Sequence, residues 1–261
     1  MATRILAVVN QKGGVGKTTT TVNLAASLAA AKRRVLVVDL DPQGNATMGS
    51  GIDKRKATPT VYAVLIGDCR AGAAIVHSAQ GGYDLIAANR ELAGAEVELV
   101  QIGSRQTRLR EALNDVTSDY DFILLDCPPA LNLLTVNALV AADAVMIPMQ
   151  CEYYALEGLS DLVETIKRVR EHLNPRLEID GLLRTMYDPR NTLAQQVSRD
   201  LMSHFGDKVY RTIVPRNVRL AEAPSYGVPA FGLDRKSKGA LAYLALAGEM
   251  LSRTERAEEA G

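Results

Sequence analysis

The chain carries no net charge: 30 Lys and Arg balance 30 Asp and Glu over 261 residues. No global field therefore draws it to nucleic acid, and any DNA contact must come from a local cluster. Cysteine is scarce. Cys69, Cys127 and Cys151 are scattered, with no C-x-x-C pair, and read as reduced thiols of a cytosolic protein, which argues against a metal or cluster site held by cysteine. Long apolar runs are missing. Nothing approaches the roughly 18 to 20 residues a membrane span needs, and Ile5–Val9 is too short for the core of a signal peptide plus its cleavage site. There is no linker, repeat or low-complexity tract. Ser252 to Gly261 is charged and Ala-rich without an apolar face, so a flexible tail is expected there and no membrane anchor. The expected location is the cytoplasm.

The remaining composition, 47% hydrophobic and 23% charged, is that of a soluble globular chain, and 261 residues suit one large domain spanning 1–261. Short apolar runs that end in turn or acidic residues alternate with helical patterns. The spacing predicts strands at Ile5–Val9, Val35–Asp39, Asp84–Ala87, Phe122–Asp126, Val145–Met149, Ile179–Met186 and Val209–Val214. Several are unbroken Val/Ile/Leu runs, as in a parallel sheet buried on both faces. Helices are expected at Lys17–Lys32 and Leu156–His172; in the latter Leu159, Leu162, Val163, Ile166 and Val169 form one stripe. Strand alternating with helix implies an α/β, doubly wound and mostly parallel sheet flanked by helices. Residues 50 to 80 are the least regular and read as a surface excursion.

Lys12-Gly13-Gly14-Val15-Gly16-Lys17-Thr18-Thr19 follows the first strand and opens a helix. Glycines there let backbone N–H groups turn inward around phosphate oxygens, and the helix N-terminus adds partial positive charge. In such a loop Lys17 reaches the β- and γ-phosphates and the Thr18 hydroxyl ligates Mg²⁺. The usual G-x-x-x-x-G-K-[ST] pattern fails at its first glycine, where Gln11 stands. Asp39 and Asp41 close the second strand. Ligands of a parallel sheet sit at the carboxyl ends of its strands, so both acids are aimed at the phosphates, able to hold Mg²⁺ or to orient water. Phe122–Asp126 is a Walker B type strand, with Asp126 meeting Mg²⁺ through water. Cys127 has no neighbouring base in view and reads as packing.

The loop, with its additional lysine at Lys12, resembles the deviant Walker A motif of the ParA/MinD/NifH group. The segments Asp39–Asn45, Gln150–Leu159 and Val214–Ser225 resemble those of ParA/Soj partitioning ATPases in particular, so the resemblance runs from Ile5 to about Leu251. It implies an ATP- and Mg²⁺-dependent ATPase, slow without its partner, that forms a homodimer on binding ATP. Lys12 would then reach the partner subunit's phosphates, Asp41 would position the hydrolytic water, and Asp39 would help hold the metal. Glu152 would contact the ribose or the partner's signature lysine; the alternative is an ordinary acidic helix entry. Pro215 and Asn217 would lie beside adenine, where their amide and backbone groups can read an exocyclic amine. No guanine-reading N-K-x-D element is present.

Positive charge gathers from Arg184 to Arg219, in Arg184, Arg190, Arg199, Lys208, Arg211, Arg216 and Arg219, and again at Arg235-Lys236-Ser237-Lys238. By resemblance, Arg190 and one or both of Arg216 and Arg219 contact double-stranded DNA without regard to sequence; the alternative is a solvated basic face. The implied role is chromosome or plasmid partitioning at the nucleoid, with a ParB-type partner stimulating hydrolysis. A MinD-like positioning ATPase acting on another cargo is the alternative, and its amphipathic anchor is not found in the tail. A nitrogenase reductase-like protein would need its cluster cysteines, and an amide-forming synthetase its own substrate loops. With the loop at residue 12, no N-terminal helix-turn-helix domain is expected.

Overall fold

The computed structural model describes residues 3–153 and 155–260, with side chains through Arg256. One eight-stranded sheet organises them: β1 (Arg4–Val8), β2 (Val35–Asp39), β3 (Ile75–Ser78), β4 (Tyr83–Ile86), β5 (Phe122–Asp126), β6 (Ala144–Gln150), β7 (Glu178–Tyr187) and β8 (Val209–Pro215). Their order is β3-β4-β2-β5-β1-β6-β7-β8, and every pairing is parallel except β3 with β4.

The unbroken apolar strands are buried on both faces, and successive side chains separate into two cores. Leu36, Val38, Ile123 and Leu125 join helices Leu92–Gln101, Leu133–Ala141 and Ala155–His172 on one face. Val35, Val37, Phe122 and Leu124 join helices Lys17–Ala30 and Lys238–Ala260 on the other. The central strands end together. Val8 on β1 and Asp39 on β2 both lie opposite Asp126 on β5, so everything that follows these strands emerges on one rim of the sheet.

Expected and observed elements differ at the margins. The first helix stops at Ala30, and Lys32 takes a left-handed φ of 61°. The irregular stretch contains β3, a four-residue edge strand too short to show a period. Residues 252–260 are helical where a flexible tail is expected. Packing accounts for this: Arg4 donates to the Thr254 hydroxyl at 2.8 Å, and the Arg253 guanidinium lies 4.3 Å from the Tyr210 ring centroid. Gly261 and the side chains of 257–260, also part of that tail, lie outside the described residues. Among the described residues no helix is long and apolar enough to cross a membrane.

Candidate functional site

The phosphate loop turns through Gly14 (φ 73°) and Gly16 (φ 90°), left-handed conformations that glycine adopts without strain. It is tied from behind. The Thr185 hydroxyl on β7 donates to the Val15 carbonyl at 2.8 Å, and Gln150 on β6 donates to the Gly14 carbonyl at 3.2 Å. Asn10 accepts from the Lys12 N–H at 2.9 Å and donates to the Pro148 carbonyl at 2.8 Å. No side chain caps the helix that follows, so its first N–H groups stay available to an anion.

The two lysines of the loop point in different directions. Lys17 is 7% exposed and its Nζ donates to the Lys12 carbonyl at 3.2 Å. Burial lowers its pKa, and the negative charges of Asp126 and Asp41 oppose that shift. Lys12 faces outward and pairs with Glu152 of its own chain, each side chain about half exposed at 47% and 51%. Such a surface pair is worth at most about 1 kcal/mol and exchanges readily.

Three acids converge at the strand ends. Asp126 is wholly buried and accepts the hydroxyls of Thr18 (2.8 Å) and Thr21 (2.9 Å), one on each oxygen. Thr21 is absent from the sequence-based site; its only signal is a place one turn beyond Thr18 in a run of threonines. Asp39, also buried, accepts the Thr47 N–H (2.8 Å) and hydroxyl (2.7 Å) on Oδ2 and the Asp41 N–H (3.1 Å) on Oδ1. Burial raises the pKa of Asp39 while the Thr47 hydrogen bonds oppose the rise. Burial and then the charge of Asp39 raise that of Asp126. A rim that crowds carboxylates into a buried space suits a cation. No cluster of three metal-ligating His, Cys, Asp or Glu side chains occurs among the described residues. Mg²⁺ keeps most of its shell from water and phosphate oxygens, so so sparse a protein donor set fits it. Thr18 can give its proton to Asp126 and a lone pair to the metal.

On the far side of the loop a cavity of about 170 Å³ is lined by Thr19, Thr185, Met186, Leu220 and Tyr243 together with Pro215 and Asn217. Its walls are mostly apolar, as a purine ring requires. The Asn217 amide oxygen caps the helix Val218–Glu222 by accepting the Arg219 N–H at 3.0 Å. With that oxygen engaged, the NH₂ group of Asn217 is the part of its amide able to donate to a ring nitrogen. Tyr243, hydrogen-bonded to the Thr20 hydroxyl at 3.0 Å, comes from the last helix and carries no motif.

Tyr187 pairs with Pro215, so the segments carrying Arg190 and Arg216–Arg219 leave adjacent strand ends side by side. Arg190 is exposed and forked onto Asp188 at 3.0 and 2.8 Å; those bonds hold the Asp188 pKa down at about 2, with Arg216 contributing. Arg219 meets Glu222 at 2.8 Å and Asp234 at 3.7 Å. The basic surface is smaller than the sequence count. Arg184 is 5% exposed and donates to Ser198 and the Tyr210 carbonyl where the register of β7 and β8 shifts. Lys208 pairs with Glu178 at the opposite strand ends.

A family model described as an AAA domain matches residues 3–179. The chromosome partitioning protein ParA of Caulobacter vibrioides is 53% identical over 252 residues, covering 96% of this chain and 94% of that one. The sporulation initiation inhibitor protein Soj of Bacillus subtilis is 53% identical over 247 residues, covering 95% and 98%. A crystal structure described as cobyrinic acid a,c-diamide synthase from Mycobacterium smegmatis, with a bound ATP analogue and magnesium, is 40% identical with a TM-score of 0.86, covering 97% and 96%. With its phosphate loop entered through Gln11 and with relatives of this kind along nearly its whole length, the chain belongs to the ParA/Soj family of P-loop partitioning ATPases.

Proposed function

We propose that this ATPase is a dimerising switch that holds DNA non-specifically in its ATP-bound state, and that a ParB-type protein triggers hydrolysis and release. The observation that carries this reading is the opposed pair of lysines in one loop: Lys17 buried against the loop's own backbone, Lys12 facing outward. ATP with Mg²⁺ occupies the loop Gly13–Thr19. Thr18 and Asp126 would hold the metal, which would supply charge neutralisation at the phosphates, and Asp41 orients the attacking water. Pro215 and Asn217 flank the base. Turnover is slow until the partner binds, and the protein works at the nucleoid in the cytoplasm.

In the free subunit Glu152 keeps Lys12 at home; in the dimer the lysine exchanges that partner for a phosphate across the interface. Lys12→Ala should therefore bind ATP with affinity within about threefold of wild type yet remain monomeric. Sedimentation with a non-hydrolysable ATP analogue checks this, and a normal dimer would remove the role across the interface.

Arg190, Arg216 and Arg219 give each subunit about three phosphate contacts, and a dimer about six. Six contacts lose on the order of 10³ in affinity between 50 and 200 mM salt, so one subunit's set holds a duplex weakly and two on a rigid body hold it well. DNA retention should appear with ATP, disappear with ADP or no nucleotide, and fall steeply with salt on a duplex of unrelated sequence. Equal retention in all three states would refute the switch. Absence of retention in all three, with dimerisation intact, would favour a MinD-like switch acting on another cargo. Amide-forming chemistry, suggested by the M. smegmatis relative, is the weaker reading because the partitioning relatives are more similar, 53% against 40%. It predicts ATP turnover that depends on an added carboxylic acid and ammonia.

A further inference from the structure

We infer that Thr47 is a positioning residue for the hydrolytic step, and that Asp39 serves this positioning and is not a metal ligand. The inference rests on the reading of Asp41 as the residue that orients water.

Asp39 ends β2 with its side chain fully buried, and three protein donors converge on its carboxylate. Two of the three are backbone N–H groups, which cannot rotate away to release an oxygen to a cation. Asp126 differs: both its donors are threonine hydroxyls, free to turn, and one belongs to Thr18, itself suited to ligate the metal. Of the two buried acids, Asp126 is therefore the one able to face Mg²⁺.

Thr47 is the node of the arrangement. Its hydroxyl donates to Asp39 at 2.7 Å and accepts the Ala88 N–H at 2.9 Å, so it joins the end of β2 to the segment that follows β4. The loop between Asp39 and Thr47 is pressed onto the same residue. Gly44, at φ 60°, has a backbone so close to Ala88 that a Cβ there would lie 2.7 Å from its carbonyl oxygen. Asp41 sits inside this clamp. Its carbonyl accepts the Gly44 N–H at 2.8 Å and its Oδ1 accepts the Gln43 N–H at 2.9 Å. Among the described residues, no protein donor is recorded on Oδ2, which leaves that oxygen for water. Remove the Thr47 hydroxyl and Asp41 keeps its charge but loses the fixed frame that aims it. Misplacement of a catalytic group by about 1 Å costs on the order of 10²-fold in rate.

Thr47→Val keeps the shape and removes the hydroxyl. Phosphate release by the full chain should fall about ten- to a hundredfold in kcat, with KM for ATP and the Mg²⁺ concentration for half-activity within about twofold of wild type. Thr47→Ser should restore kcat to within about threefold, a recovery that a general packing role does not give. Asp39→Asn should lower kcat in the same way and leave the Mg²⁺ half-activity point in place. Wild-type kcat in Thr47→Val, equal impairment in Thr47→Ser, or a tenfold shift of the Mg²⁺ half-activity point in Asp39→Asn would each overturn the inference. Should Thr47→Val fail to fold, as circular dichroism of the apo protein would show, the Asp39→Asn measurement decides alone. Asp41→Ala run in parallel separates the two levels. If it turns over normally, the reading of Asp41 is lost. If it is inactive while Thr47→Val is normal, only the role of Thr47 is lost.

Discussion

Replacing Lys17 with alanine should remove ATP binding and leave the apo fold standing. The ammonium group sits in the phosphate loop, 7% exposed, beside Asp126 and Asp41. A charge-assisted hydrogen bond to phosphate contributes about 1.5 to 3 kcal/mol, and two such bonds, to the β- and γ-oxygens, make the expected loss at least about a hundredfold. Without that charge a polyphosphate would also meet a rim of buried carboxylates with less to offset them. In the free protein the same group does little. Among the described residues its ammonium makes one hydrogen bond, to the Lys12 carbonyl at 3.2 Å, and burial already works against its charge. Thermal unfolding of the apo variant should shift little, while isothermal titration with ATP and Mg²⁺ should show no measurable heat of binding. Unchanged affinity would sink the assignment of this loop.

What could be read from the residues was what lies contiguous in the chain. The phosphate loop is a run of neighbours, and Asp39 and Asp126 each end an unbroken apolar strand, so the topology rule alone places them on one rim. The structure seats them opposite each other in register. What escaped reading depends on contacts between distant segments. Thr47 meets Ala88 across 41 residues and Thr21 meets Asp126 across 105, and no spacing rule announces either. Arg184 looks like surface charge because a strand arginine usually is; here it is enclosed where the register of β7 and β8 shifts, its guanidinium bonded to the Tyr210 carbonyl of β8. The C-terminal segment has no apolar stripe of its own, yet it is helical because Arg253 stacks on Tyr210 and Thr254 receives Arg4. The pairing of Glu152 with Lys12 of its own chain, across 140 residues, is another such contact, and it leaves the expected role of Glu152 at the ribose or the partner's lysine as a proposal.

Asp41→Ala should keep ATP and lose its hydrolysis. Asp41 is 8% exposed, and its charge contributes to raising the pKa of both Asp39 and Asp126. Deleting it relieves repulsion within the acid rim and lowers the negative charge that an incoming polyphosphate must approach. ATP affinity should therefore hold or rise slightly. Turnover depends on aiming a water at the γ-phosphate, for which a positioned carboxylate typically contributes about 10²- to 10⁴-fold. A fall of about two to three orders of magnitude in phosphate release is expected, measured at saturating ATP. In the proposed switch dissociation of the dimer waits on hydrolysis, so the same variant should remain dimeric after ATP addition and stay on DNA far longer than wild type. The fold should tolerate the change. The Gly44 N–H bonds to the Asp41 backbone carbonyl, which alanine retains, and Thr47 still braces Asp39. Wild-type turnover in this variant would move the water-orienting role to another residue, and turnover lost together with ATP affinity would show that Asp41 supports the nucleotide site itself.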